Sequence, residues 1–141
     1  SFAHSLGFEV IVCDPRHEEV CNFNVPGVTL RQELPSVWIA REGCHGATAV
    51  VALTHDPKID DTALMEAVKT DAFYIGVMGS LRTSEQRRER LLRIGGLNEQ
   101  QVERIRMPIG LNIGSKTPAE IALSVMADIV RVRQGLTKPE L

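Results

Sequence analysis

The hydrophobic positions of this chain form short runs that alternate with longer amphipathic segments. Residues 8–13, 47–53 and 72–77 are mostly apolar, and the first two runs are rich in small or β-branched side chains. Strands buried on both faces have this composition, and they belong to parallel sheets covered by helices. Residues 28–30 predict a further short strand.

The segments between these runs predict helices. Residues 2–6 predict the last turn of a helix that ends at Gly7, and residues 64–68 place their apolar side chains on one helix face, with Asp60 and Asp61 as its cap. Further helices are predicted over residues 35–42 and 83–94, from Asn98, and from Thr117 to about Gln134, the last two opened by capping boxes. This alternation indicates an α/β protein, namely a three-layer Rossmann-like fold with a mostly parallel sheet.

Composition narrows the class of protein. The chain has 141 residues, of which 43% are hydrophobic and 24% charged, and its net charge of −2 is spread without blocks, so we expect no nucleic-acid partner. No apolar run approaches the ~20 residues of a membrane helix, and we expect no membrane association. Three irregularly spaced cysteines favour a reducing, cytoplasmic location. We expect one domain over residues 1–135 and a tail over 136–141.

The chain opens on the end of a helix, which leaves the predicted sheet incomplete. In a doubly wound sheet the first strand is central, and a glycine-rich turn joins it to the first helix. We therefore expect a Rossmann-like fold that lacks its first strand and glycine-rich turn and exposes two inner strand edges. The strand would come from a longer native chain, a separate piece or an exchanged neighbour, so we expect a homo-oligomer or pairing with a missing N-terminal segment.

The best candidate for a ligand site is the turn that follows residues 72–77. Gly79 and Ser80 break the apolar run, and a helix-favouring segment follows. A strand that leads through a glycine turn into a helix presents free backbone N–H groups and a positive dipole end to an anion. Arg82, and secondarily Arg87, would add a guanidinium group for phosphate or carboxylate.

Polar residues also follow two other predicted strands. Asp14 ends the first strand, where an acidic residue accepts ribose hydroxyls in dinucleotide-binding folds, although Asp before Pro also starts turns. His55 and Asp56 end the strand over residues 47–53. His55 would serve as an acid–base group or a hydrogen-bond donor to a ligand, and the alternative is a loop that caps the next helix.

Two further groups of residues carry weaker signals. Cys44 and His45 have zinc-ligand side chains, but no four-ligand spacing accompanies them, so we expect no metal. Residues 109–116 predict a second glycine-rich loop. Lys116 and the N–H groups at the start of the following helix would form a second anion site, or the loop would serve only the fold. No nucleophile has an obvious partner, so no catalytic residue is predicted.

Several ordered motifs together resemble a known family. In chain order they are LGFEV and DPR (residues 6–10 and 14–16), THD (54–56), YIGVMGS (74–80), PIGLNIG (108–114) and TPAEIA (117–122). The set resembles the C-terminal Rossmann-like domain of the XdhC/CoxI family, the maturation factors of xanthine dehydrogenase and CO dehydrogenase. The resemblance covers nearly the whole chain.

The resemblance implies an accessory protein rather than an enzyme. Such a protein binds the molybdenum cofactor (molybdopterin), protects it during sulfuration and delivers it to a xanthine dehydrogenase-type molybdoenzyme, with a cysteine desulfurase as a further partner. Molybdopterin carries a phosphate or nucleotide, which suits glycine turns at helix N-termini. An NAD(P)-binding oxidoreductase domain is the alternative. The expected cofactor-binding residues are Asp14, Arg16, His55, Asp56, Gly76, Gly79, Ser80, Arg82, Gly110, Asn112 and Gly114.

Overall fold

A computed structural model describes residues 2–16, 25–114 and 116–135. The elements are, in chain order, α1 Phe2–Ser5, β1 Val10–Cys13, β2 Val28–Arg31, α2 Pro35–Glu42, β3 Ala49–Ala52, α3 Pro57–Ala67, β4 Tyr74–Val77, α4 Leu81–Arg93, α5 Glu99–Glu103, β5 Ile105–Arg106 and α6 Pro118–Arg133. Strands and helices alternate through most of this order, which confirms the predicted α/β class. No helix in the described residues is long and apolar enough to span a bilayer.

The strands form two separate parallel sheets. In the first, β1 pairs with β2, and Val10 lies opposite Val28. In the second, the order is β3-β4-β5, with Ala49 opposite Tyr74 and Ile75 opposite Ile105. Within the described residues no strand lies beside the second edge of β1 or of β3. Two inner strand edges are therefore open, as the sequence predicts.

Helices cover both faces of β4, so the architecture has three layers. On one face, Ile75 and Val77 are at most 1% exposed and pack in one cluster with Leu64 of α3 and Leu91 of α4. On the other face, Tyr74 packs against α6, chiefly through its residues Val125, Met126 and Ile129. Full burial of each large apolar side chain contributes roughly 1.5–3 kcal/mol, so these two clusters hold the sheet between its helix layers.

Two helix starts confirm the predicted capping boxes. Asn98 Oδ1 accepts from the N–H of Gln101 at 2.8 Å, and Gln101 Oε1 accepts from the N–H of Asn98 at 3.0 Å. Thr117 and Glu120 make the same reciprocal pair ahead of α6. Each box satisfies N–H groups that a helix leaves unpaired at its start.

The predicted cap of α3 is wrong by one helical turn. The helix begins at Pro57, and Asp56 caps it by accepting from the N–H of Lys58 at 2.9 Å. Asp before a proline at the first helical position is a stronger start signal than the later acidic pair. Asp60 is instead buried, with 2% exposure, and Asp61 pairs with arginines of α4.

One strand, β5, was not predicted from the sequence, and two predictions cannot be compared with the structure. β5 has only two residues, too few for a hydrophobic period to mark it. Residues 17–24, whose weak pattern predicts one helical turn, lie outside the described residues, as does the tail predicted over residues 136–141.

Candidate functional site

The carboxyl ends of β3 and β4 lie at the same edge of one sheet because these strands are parallel. The Thr54–Asp56 segment follows β3, and Gly79 and Ser80 follow β4. The end of β1 joins this edge, since Asp14, Arg16 and Thr54 line the same cavity of about 350 Å³. Ligands of open α/β sheets bind at this kind of edge.

The β4–α4 turn presents backbone donors. Ser80 caps α4, because its hydroxyl accepts from the N–H of Thr83 at 3.1 Å, while Thr83 Oγ1 accepts from the N–H of Ser80 at 2.8 Å. The N–H groups of Gly79, Leu81 and Arg82 have no acceptor among the described residues. All of these residues are exposed, so the positive end of the α4 dipole faces solvent.

The close approach of backbone and cap requires glycine at position 79. A Cβ atom added there would lie 2.6 Å from Thr83 Oγ1, which is too close for any side chain. Gly79 thus lets the turn fold against the hydroxyl that completes the cap.

Beneath this turn lies a buried hydroxyl without a hydrogen-bond partner. Ser84 is 5% exposed, and its Oγ finds no donor or acceptor among the described residues. Its position, 3.7 Å from where a Cβ atom of Gly79 would stand, puts it directly under the turn. Most buried hydroxyls are paired, so an unpaired one at a candidate site indicates a missing partner such as a ligand or a water.

Of the two arginines of α4 considered for ligand contact, Arg82 faces solvent and Arg87 holds the fold. Arg82 is exposed and makes no hydrogen bond or ion pair with the described residues. Arg87, the second arginine considered for ligand contact, is 6% exposed, and its Nε donates to Asp61 Oδ1 at 2.9 Å. Arg87 also donates to the carbonyl of Met78 at 3.2 Å, so it supports the turn from within.

The predicted second glycine loop lies beside the β4–α4 turn. Two hydrogen bonds hold the first half of its backbone: the N–H of Ile109 donates to the carbonyl of Val77 at 3.0 Å, and that of Leu111 donates to the carbonyl of Ser124 at 3.2 Å. A cavity of about 380 Å³ lies between turn and loop. Its lining includes Gly79, Leu81, Gly110, Asn112, Gly114 and Ser124.

Gly110 is needed where this loop meets α6. Its φ of 91° is in the left-handed region that favours glycine, and a Cβ atom there would lie 2.7 Å from Ser124 Oγ. Gly76 lies one layer below, buried inside β4, where a Cβ atom would lie 2.5 Å from Ile109 Cδ1. Gly76 therefore serves the packing of the loop onto the strand, and its predicted ligand contact has no open surface in this structure.

The β3–α3 loop contains the only non-glycine residue with a positive φ in the described part of the chain. His55 has a φ of 64°, and its N–H donates to Asp60 Oδ2 at 3.1 Å. Asp60 Oδ1 accepts from both the hydroxyl of Thr54 at 2.7 Å and its N–H at 3.3 Å. A buried carboxylate thus fixes the loop and leaves the His55 side chain exposed at the edge of the sheet.

The two expected residues of this loop have different roles in the structure. Asp56 caps α3, as the alternative interpretation of the sequence proposed. His55 lines neither of the two cavities described above. Its role in ligand binding stays a prediction.

Asp14 is engaged by its neighbour Arg16. Its carboxylate accepts from the backbone N–H and Nε of Arg16, both at 2.9 Å, and from Nη2 at 2.8 Å. These bonds to the Arg16 side chain hold the pKa of Asp14 below its usual range, so it is ionised at neutral pH. A ligand that reaches Asp14 would therefore contact the Asp14–Arg16 ion pair rather than a free carboxylate.

The start of α6 does not support the second predicted anion site. The carboxylate of Glu120 accepts from the N–H of Lys116 at 2.9 Å and from that of Thr117 at 3.2 Å. These bonds lower the pKa of Glu120 and place a negative charge at the helix start, where an anion would be repelled.

The structure thus divides the expected residues among two cavities and the surface between them. Gly79, Gly110, Asn112 and Gly114 line one cavity, and Asp14 and Arg16 line the other. His55, Asp56, Ser80 and Arg82 lie at the same edge of the sheets and line neither.

Sequence reasoning missed two polar residues of this edge, Asp60 and Ser84. An acidic residue in the first turn of a helix is ordinarily explained by the helix dipole, and a serine among charged helix residues by solvent exposure. The one usable signal is spacing: Asp60 follows the helix cap Asp56 by one helical turn, so its side chain lies on the same side of α3 as the preceding loop.

Comparison with known proteins identifies the family. The model of the XdhC Rossmann domain matches residues 1–129. The chain belongs to the XdhC family. This confirms the resemblance drawn from the motifs, and it confirms the Rossmann-like fold, with small parallel sheets.

Relatives include three bacterial proteins. The chain is 31% identical over 130 residues to the uncharacterized protein YqeB of Escherichia coli, covering 92% of the chain and 24% of YqeB. It is 35% identical over 86 residues to the Escherichia coli molybdenum cofactor insertion chaperone PaoD, covering 61% of the chain and 27% of PaoD. It is 30% identical over 135 residues to a Bacillus subtilis protein described as a probable xanthine dehydrogenase subunit, covering 95% of the chain and 38% of that protein.

A solved structure shares the fold. The chain superimposes with a TM-score of 0.78 on a protein from Bacillus halodurans described as a xanthine dehydrogenase, at 23% sequence identity. The match covers 99% of the chain and 40% of that protein. The chain thus spans about a quarter to two fifths of the length of these relatives.

Proposed function

We propose that this XdhC domain binds the molybdenum cofactor at the β4–α4 turn and the facing loop of residues 108–114. The observation that carries the proposal is the group of unpaired donors at the turn. The N–H groups of Gly79, Leu81 and Arg82 and the buried hydroxyl of Ser84 have no partner among the described residues. The name of the relative PaoD, a molybdenum cofactor insertion chaperone, supports this ligand.

The residues at this site fit the chemistry of the cofactor. The helix start and the exposed guanidinium of Arg82 suit a phosphate, because both favour negative charge and donate hydrogen bonds. The adjoining cavity has the amide of Asn112 on its wall, which offers both a donor and an acceptor to a pterin ring. When bound, the cofactor would supply the molybdenum centre that a target enzyme uses.

The proposed role extends to maturation of a xanthine dehydrogenase-type molybdoenzyme. In that role the domain holds the cofactor during sulfuration and insertion, in the cytoplasm. Burial raises the pKa of the Cys13 and Cys44 thiols, so neither of these cysteines is activated as a sulfur nucleophile. A cysteine desulfurase is the proposed sulfur donor for that step.

An NAD(P)-binding oxidoreductase domain is the second candidate, and Asp14 is the observation that favours it. A carboxylate at the end of a strand accepts ribose hydroxyls in dinucleotide-binding folds. Here Arg16 already donates three hydrogen bonds to Asp14, so the two hydroxyls of a ribose would have to compete with Arg16 for this carboxylate. Because of this competition, we rank NAD(P) after the molybdenum cofactor as the proposed ligand.

The test compares two arginine variants of α4. Each protein is mixed with molybdenum cofactor, desalted, and assayed for retained pterin by fluorescence after oxidation, with NADPH run in parallel. We expect retention near one pterin per chain, its loss in Arg82→Ala, and no loss in Arg93→Ala. Arg93 is a matched control because it is exposed on the same helix and pairs only with Glu89 among the described residues.

Three other results would decide against the proposal. Equal retention by both variants would remove Arg82 from the site. Retention of NADPH without pterin would favour the oxidoreductase domain. Retention of neither by the unsubstituted chain would show that this domain alone does not bind the cofactor.

A further inference from the structure

The cavity of about 380 Å³ beside the β4–α4 turn has apolar side chains that the fold does not use. Leu81, at the first position of α4, is 74% exposed, and Ile113, in the facing loop, is 52% exposed. Both line the cavity, and neither belongs to the two apolar clusters that hold the sheet between its helix layers. Their apolar surface is therefore available to a bound molecule.

The wall of the cavity that the turn forms combines an apolar side chain with hydrogen-bond donors. The N–H of Leu81 is among the donors of the turn that have no acceptor in the described residues. Beneath the same turn, Ser84 is 5% exposed and its hydroxyl is unpaired. An anion held by these donors would lie at one end of the cavity, with the side chain of Leu81 beside it.

The opposite wall places one amide between two apolar side chains. The N–H of Ile113 donates to the carbonyl of Leu111 at 3.0 Å, which closes a three-residue turn around Asn112. All three residues line the cavity. The side chain of Asn112 is exposed and makes no hydrogen bond within the described part of the chain. This wall thus offers apolar contact to the face of a ring, and both a donor and an acceptor to its edge.

The two walls together define a class of ligand. An inorganic anion would use only the donors of the turn and would gain nothing from the apolar side chains. A wholly apolar molecule would leave those donors, and the amide of Asn112, without partners. A flat nitrogen heterocycle that carries a phosphate uses both parts of the cavity, because its faces are apolar and its edge is polar.

We propose that Leu81 and Ile113 enclose the ring of a phosphorylated pterin, with its phosphate on the β4–α4 turn and its polar edge at Asn112. This inference rests on the proposed function, because a phosphorylated pterin is the part of the molybdenum cofactor that this cavity would hold. Leu81 and Ile113 are then specificity-determining residues. They distinguish a ligand that has a ring from inorganic phosphate, whereas Arg82 and the turn bind both.

The exposure of the two apolar residues allows their role to be measured apart from stability. Substitutions at exposed positions outside the core usually change stability little. Leu81→Asn and Ile113→Asn each replace an apolar side chain by a polar one on a different wall of the cavity. The matched control is Ile94→Asn, because Ile94 is 82% exposed at the other end of α4 and does not line this cavity.

The test measures the dissociation constants of two ligands. The first is 6-hydroxymethylpterin phosphate, followed by the polarisation of its own fluorescence, and the second is inorganic phosphate, followed by isothermal titration calorimetry. Leu81→Asn and Ile113→Asn should each weaken binding of the phosphorylated pterin roughly tenfold, as expected for lost apolar contacts in a pocket. Their affinity for inorganic phosphate and their melting temperatures should not change. Ile94→Asn should change neither affinity, and Arg82→Ala should weaken both.

The outcomes separate this inference from the proposed function. Unchanged pterin affinity in both cavity variants, with binding still weakened in Arg82→Ala, would overturn the inference and leave the anion site at the turn. An equal loss of affinity for inorganic phosphate in both cavity variants would place their effect at the turn and would also overturn it. Tighter binding of guanosine monophosphate than of the phosphorylated pterin would assign the ring position to a purine nucleotide instead. If the unsubstituted protein binds none of these ligands, both the inference and the proposed function fail.

Discussion

Replacement of Asp60 by asparagine tests the role of the buried carboxylate at the edge of the sheet. Oδ1 can remain an acceptor for both groups of Thr54, but the new amide nitrogen would face the N–H of His55, which Oδ2 accepts at 3.1 Å. A hydrogen bond to a charged acceptor contributes about 1.5–3 kcal/mol. Water reaches the exposed His55, and loss of the buried charge removes a desolvation cost, so we expect a loss at or below the lower end of that range, about 1–2 kcal/mol.

The assay is equilibrium urea denaturation, with Asp56→Asn as the matched control. Both variants lose one carboxylate within the same five residues, but asparagine caps helices as well as aspartate, so Asp56→Asn should be nearly neutral. For Asp60→Asn, the expected loss of unfolding free energy corresponds to a fall of roughly 3–8 °C in melting temperature at this chain length. Unfolding free energies within about 0.3 kcal/mol of each other would refute the reasoning.

Two further predictions concern hydrogen bonds away from this loop. Tyr74→Phe removes the buried bond of 2.7 Å that the hydroxyl donates to Asp128 Oδ2, while Arg131 still pairs with that carboxylate, so urea denaturation should show a loss of about 1.5–3 kcal/mol. Glu120→Gln should lower the melting temperature at neutral pH, and this difference should shrink as the pH falls below the usual carboxyl range. Its pKa is lowered in the folded chain by backbone N–H donors, so its stabilisation is present above the usual carboxyl range and is lost as pH falls through the folded pKa.

The elements with strong local signals were predictable from sequence. The run over residues 72–77 and the box at Thr117 each depend on neighbours within one turn or one strand, and both occur as predicted. The open edges of β1 and β3 were also predictable from the order of the predicted elements, because this order fixes which strand of an α/β sheet is central.

Features that depend on distant contacts were not predictable. Arg87 and Arg90 have the charge pattern of a solvated helix face, yet both donate to Asp61, 26 and 29 residues away. Nothing in the α4 sequence marks Ser84 as buried, because its cover comes from the packing of the turn and of neighbouring elements. Burial of polar groups is a tertiary property, and a single helix pattern cannot specify it.

The variant Ser84→Ala distinguishes a role in ligand binding from a role in stability. An unpaired buried hydroxyl costs about 1–3 kcal/mol, so Ser84→Ala should leave the protein as stable as before or more stable. If the hydroxyl serves a ligand at the turn, the same variant should retain less molybdenum cofactor. Ser124→Ala is the reference for stability alone, since Ser124 also lines the cavity of the proposed site. Ser124 is equally buried but donates to the carbonyl of Ile121 at 2.8 Å, so its loss should reduce stability. A Ser84→Ala protein that is destabilised like Ser124→Ala, with unchanged retention, would show that the hydroxyl serves the fold alone.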